Sequence, residues 1–95
     1  MTNEEKHLKP VHPGDVLMHD FMLPMNLSSN ALAHEIGVSP RYITEIINEK
    51  RAISADMAIR LSRFLGTSAE AWMNLQASYE QDRITYTERT KQKNF

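Results

Sequence analysis

The stretch from Ser28 to Arg51, SSNALAHEIGVSPRYITEIINEKR, limits what this chain can fold into more than any other. Its punctuation leaves room for two short helices and a tight turn. Ser28 is placed to cap a helix N-terminus, its oxygen accepting from an amide that has no partner in the first turn. Leu27 and Leu32 flank that cap at the positions of a hydrophobic staple. Leu32, Ala33 and Ile36 then make one apolar face. Gly37 stops the helix, because glycine enters the left-handed backbone of a C-terminal cap at little cost. Ser39 caps the next helix, and Pro40 takes its first position, where a missing N–H is harmless. Val38 and Ile43 repeat the staple. In this second helix Ile43, Ile46 and Ile47 gather on one side, while Arg41, Glu45 and Asn48 project from the other, with Tyr42 and Thr44 on the flanks. One side suits a core and the other suits hydrogen bonding.

With small Ala33 where a second helix crosses closely and Gly37 at the turn, this is the layout of a helix-turn-helix, whose second helix lies in the DNA major groove. A helical hairpin that only packs has the same grammar, so the exposed side must carry the reading. Arg41, near the start of the second helix, suits a bidentate pair to a guanine edge. Its other use is a surface pair with Glu45 one turn on, worth ~0.2–0.5 kcal/mol. Tyr42 either reaches a thymine methyl or a phosphate, or packs beside Val38. Thr44 and Asn48 complete the base-reading candidates. Phosphate contacts fall to Ser28, Ser29 and Asn30, where free amides at a helix N-terminus attract anions, to Ser39, and to Lys50 and Arg51 just past the reading helix. Glu45 repels phosphate unless it accepts from cytosine.

Three further helices are predicted around this pair. The first runs from Pro13 to about Leu23, with Asp15 in its first turn and Pro24 as its stop. The fourth, ADMAIRLSRFL, is capped by Ser54, buries Met57, Ala58, Leu61 and Leu65, exposes Arg60 and Arg63, and closes at Gly66. The fifth, AEAWMNLQASYEQD, is capped by Thr67 or Ser68 and carries Trp72, Leu75 and Tyr79 on one face, with Met73 partly shared. Those four are the dimer-contact candidates, one side packing inward and the other meeting a second copy. The expectation is an all-α, five-helix domain over residues 13–82, with a flexible arm over 1–12 and a tail over 83–95. The ITYT segment of the tail favours β structure but has no partner strand. The tail is read as flexible and partly used in assembly, with a frayed extension of the fifth helix as the alternative.

The runs HPGDVLMHDFM, SSNALAHEIGVSPRYITEIINEKRAIS and DMAIRLSRFLGTSAEAWMNLQASYE resemble the HigA antitoxin family, within the larger group of Cro and lambda-repressor-type regulators. The likeness spans roughly residues 12–80, and INEKRAIS and FLGTSAEAWMNLQ are its most specific parts. The resemblance implies a lambda-repressor-like homodimer that binds double-stranded operator DNA and represses its own operon. It also implies neutralisation of a ribosome-dependent, mRNA-cleaving HigB-like toxin. The alternatives are a free-standing regulator of the same fold and a toxin-holding module with little role at DNA.

A net charge of −1 argues against DNA until its distribution is considered. Residues 1–38 carry −3, residues 39–63 carry +2, and the remainder balances. The basic surplus lies on and just after the reading helix. It is small, so two copies on adjacent half-sites are expected to share the phosphate contacts, with affinity falling steeply with salt. No cysteine is present, which removes disulfides and thiolate metal sites and fits a reducing compartment. His7, His12, His19 and His34 do not fall at zinc-ligand spacing, and His34-Glu35 lacks the second histidine of HExxH. With no glycine-rich phosphate loop and no GxSxG elbow, no metal, cofactor or catalytic activity is expected. No apolar run reaches the ~18 residues of a membrane span, and MTNEEKHLKP lacks the apolar core of a secretory signal. The expected location is the cytoplasm.

Overall fold

Among the described residues, four of the five helices begin where the sequence supplies a serine, and the first begins on a histidine. The computed structural model describes residues 9–93, with side chains to residue 88. Helix α1 opens over Pro13–Val16 and widens into a π-helix over Leu17–Met22; α2 spans Ser29–Ile36, α3 Pro40–Ile47, α4 Ala55–Leu65 and α5 Ala69–Lys93. No strand occurs among the described residues.

The caps follow local chemistry. Ser28 Oγ accepts from Ala31 N–H at 3.0 Å, Ser39 Oγ from Tyr42 N–H at 3.4 Å, and Ser54 Oγ from Met57 N–H at 3.1 Å. Each such cap stabilises its helix by about 1 kcal/mol. At α5 the two candidates divide the work: Ser68 Oγ accepts from Ala71 N–H at 3.0 Å, while Thr67 Oγ1 accepts from the Trp72 indole at 2.7 Å. Gly37, at φ 77°, turns the chain between α2 and α3.

Helix α1 ends one residue before the predicted Leu23, and its second half is wider than an α-helix. Leu23 N–H donates to Met18 O at 2.9 Å and Leu27 N–H to Met22 O at 2.8 Å, each five residues back. Pro24 lacks an N–H, and its ring would collide with a carbonyl four residues back in a regular helix. The wider turn relieves that crowding.

The core is built from Leu17, Leu32, Ile43, Ile46, Met57, Leu61 and Trp72, all at most 1% exposed. Ile53, in the charged stretch between α3 and α4, is buried with them. Its amide donates to Gln76 Oε1 at 2.9 Å, and Gln76 Nε2 donates to Glu80 Oε2 at 2.9 Å. Arg83 donates to Glu80 Oε1 at 2.9 Å and holds that carboxyl below its usual range. A side chain of α5 thus fixes the loop that follows α3.

Helix α5 also runs past residue 82, where the sequence reading ends the domain. The β-favouring threonines stand within it: Thr85 Oγ1 donates to Gln81 O and Thr87 Oγ1 to Arg83 O, each one turn back, in place of solvent. Of the expected N-terminal arm, residues 1–8 lie outside the described residues, as do 94–95 of the expected tail.

His12 belongs to the folded unit. It is 3% exposed, its Nδ1 accepts from Gly14 N–H at 2.9 Å, and its ring meets Tyr79 edge-on at 4.7 Å. Accepting through Nδ1 requires that nitrogen to be unprotonated. Burial pushes the imidazole below its ordinary value, with Glu49 and Glu80 pulling the other way. Protons therefore bind the unfolded chain more readily than the folded one. Stability from this group is complete above the ordinary imidazole pKa of ~6.5 and falls as pH drops below it, towards the lowered folded value. Urea midpoints followed from about pH 8 to about pH 5 should decline less for His12→Asn, which keeps a capping oxygen and does not titrate. Equal declines in both proteins would remove His12 from the acid response.

Candidate nucleic-acid interface

Helix α3 presents two unlike sides. Ile43 and Ile46 are fully enclosed, which turns Arg41, Thr44 and Asn48 outward, and all three are exposed. The Arg41 side chain is 86% exposed. Thr44 keeps its hydroxyl on Pro40 O at 3.1 Å, so its methyl is the part most available to a base. The alternative use of Arg41 is also present: its Nε donates to Glu45 Oε2 at 3.0 Å.

Tyr42 is half-buried, and its packing partner is an arginine. The Arg51 guanidinium lies 3.7 Å above the Tyr42 ring, and the Tyr42 hydroxyl meets Ser54 Oγ at 3.4 Å. Arg51 Nη1 also donates to Glu45 Oε1 at 3.0 Å. Lys50 is exposed beside it. The loop carrying these two cations leaves α3 through a Schellman-type stop. Glu49 N–H donates to Ile46 O, Lys50 N–H donates to Glu45 O, and Glu49 takes φ 62°.

At the start of α2, Ser28 and Asn30 are exposed and Ser29 is half-buried. Ser28 and Ser39 both spend their hydroxyl oxygens as caps, which leaves each hydroxyl proton able to donate outward. The dimer-contact candidates separate. Trp72 is enclosed in this chain's own core against Phe21, Leu75 and Tyr79 are half-buried, and Met73 is 37% exposed.

Sequence reasoning missed the residues that hold the interface in place. Gly14 packs on the last turn of α3: a Cβ there would overlap the Ile46 carbonyl oxygen and stand 2.7 Å from its carbon and 3.0 Å from Ile47 Cα. Arg60, expected as a solvated cation, instead donates through Nη1 to Ile36 O at 2.8 Å and to Gly37 O at 3.4 Å, with Nε on Asp56 at 2.8 Å. A cation at the carbonyl end of α2 complements the helix dipole and braces the turn. Among the described residues no cluster of histidine and carboxylate could hold a metal, and no helix is long and apolar enough to cross a membrane. His19 pairs with Asp15 at 3.0 Å, and His7 lies outside the described residues.

Comparisons with known proteins agree with this fold. The family model described as Helix-turn-helix (HTH_3) matches residues 19–72. Virulence-associated protein I of Dichelobacter nodosus is 42% identical over 76 residues, covering 80% of this chain and 70% of that protein. The antitoxin HigA of Pseudomonas aeruginosa, solved with the higBA promoter, is 44% identical with a TM-score of 0.79, over 88% of this chain and 90% of that one. The antitoxin GraA, solved in complex with its operator, is 40% identical with a TM-score of 0.75, over 79% of this chain and 76% of that one.

Proposed function

The chain belongs to the helix-turn-helix family and, within it, to the HigA antitoxins, and from that premise we propose how it acts. It is a sequence-specific DNA-binding protein that docks residues 39–48 in the major groove of its own operator. Two copies, joined through residues of α5, occupy half-sites about one helical turn or a multiple apart. It represses its own operon and neutralises an mRNA-cleaving, HigB-like toxin, working in the cytoplasm where both targets lie. It is a binding protein without a catalytic centre. One observation carries this reading: Arg41, Thr44 and Asn48 of α3 are exposed while Ile43 and Ile46 are sealed in the core. The similar antitoxins solved with promoter and operator DNA support it.

Two variants test it. Arg41→Ala should cost about 1–3 kcal/mol on the operator and relax preference at one base position. Lys50→Ala should weaken all duplexes alike and reduce the salt slope by about one. Equal losses on operator and random DNA in Arg41→Ala would show that Arg41 reads no base. The toxin half has its own check, since residues 1–38 carry −3 and suit a basic partner. Co-purification with the product of the adjacent reading frame is expected, and its absence from a co-expressed pair would reduce the reading to a free-standing regulator.

A further inference from the structure

Glu45 is the one acidic residue of α3 and stands on the side that carries Arg41 and Asn48. Attraction to phosphate does not explain it, because a carboxylate there repels the backbone of DNA. Fold stability explains little of it, because exposed ion pairs contribute weakly. Its geometry is more informative. Both carboxylate oxygens are engaged at 3.0 Å, Oε2 by Arg41 Nε and Oε1 by Arg51 Nη1. Arg41 is gripped through the inner nitrogen of its guanidinium, so its two terminal nitrogens are left for a base edge. That outer pair is suited to the O6 and N7 acceptors of guanine. Arg51 is held between Glu45 and the Tyr42 ring, and Tyr42 reaches Ser54, the cap of α4. One carboxylate therefore sits midway along a line of contacts from the start of α3 to the start of α4.

We propose that Glu45 is a positioning residue that sets specificity: it aims the outer nitrogens of Arg41, restrains Arg51 over Tyr42, and subtracts from indiscriminate attraction to phosphate. A long arginine free to sample its rotamers loses more entropy on binding than one already held. A held arginine also adapts less well to a wrong base. The residue thus weakens binding to all DNA by its charge and recovers that loss only where a base meets the aimed fork. This rests on the DNA-binding reading above.

The test compares the wild-type chain with Glu45→Gln and Glu45→Ala on two probes across a salt titration. One probe is the duplex that the wild-type chain recovers from a randomised pool, and the other is the same duplex scrambled. Both variants should bind the scrambled duplex about three- to tenfold more tightly at low salt, with a salt slope steeper by about one per copy. The ratio of selected to scrambled affinity should fall by about tenfold in Glu45→Ala, and Glu45→Gln, which keeps an acceptor for Arg41 Nε, should recover part of it. Urea midpoints of all three should agree closely. An unchanged ratio, or equal losses on both duplexes, would overturn the proposal and leave Glu45 as a solvated pair. A pool that yields no consensus with the wild-type chain would instead remove the DNA reading, and this inference with it.

Discussion

Gly14→Ala is expected to lower the unfolding free energy by about 3 kcal/mol or more and to take operator binding with it. The expectation comes from what the added methyl would meet. Flexible side chains yield to an extra carbon, but here the obstacle is the Ile46 carbonyl and the Ile47 Cα of α3. Two responses are open, and each is costly. Helix α1 can withdraw from α3, which unseats Leu17 from the core and strains the bond from Gly14 N–H to His12. Alternatively the last turn of α3 can shift, which re-aims Asn48 and the Lys50–Arg51 loop. Urea unfolding and duplex binding together separate these: withdrawal lowers stability most, and a shifted α3 lowers affinity most. A Gly14→Ala chain as stable as the wild type would mean that the two backbones do not touch.

The second large effect is at Trp72. Its ring is 1% exposed, lies against Phe21 with centroids 5.6 Å apart, and donates from Nε1 to Thr67. Truncation to alanine should lose about 3–5 kcal/mol through lost contacts and a residual cavity. Against a domain stability of ~5–15 kcal/mol, that is a large fraction, and at the low end of the range it brings the folded and unfolded forms towards balance. Trp72→Phe keeps most of the ring, gives up the bond to Thr67, and should lose about 1–2 kcal/mol. The pair bears on assembly as well, because the sequence makes Trp72 a candidate for the dimer contact. Size-exclusion run beside urea unfolding gives the answer. Dissociation without unfolding in Trp72→Ala would move the tryptophan from core to interface.

What the sequence made legible was whatever needs only a few neighbouring residues. Ser28, Ser39 and Ser54 cap within three residues of themselves, Gly37 turns on its own backbone, and the isoleucine period of α3 says which side faces out. The residues that hold these pieces together act across distance. Gln76 reaches an amide 23 positions away, and Arg60 a carbonyl 24 away. Gln76 falls within the face marked by Trp72, Leu75 and Tyr79, but nothing near it in sequence names the amide it meets, and Arg60 falls on a face that periodicity assigns to solvent. Gly14 reads as a helix-start residue, and its contact with Ile46 exists only once α1 and α3 have met. Tyr42 had two uses open to it, and the structure gives it a third, as the plate beneath Arg51. The threonines of ITYT favour strands, yet they stand in α5, each with its hydroxyl on a carbonyl one turn back.

The meeting of His12 with Tyr79 also has a meaning for how the protein is made. A ribosome adding ~5–20 residues per second delivers the histidine several seconds before the tyrosine that covers it. Until then the opening turn can form its own bond to Gly14 but has water on the side that the last helix will close. The nascent chain therefore cannot finish from its front end backwards. Its seal comes from a helix made long after the residue it covers, and a message cut short before Tyr79 releases a chain that has begun to fold and has no means of completing it.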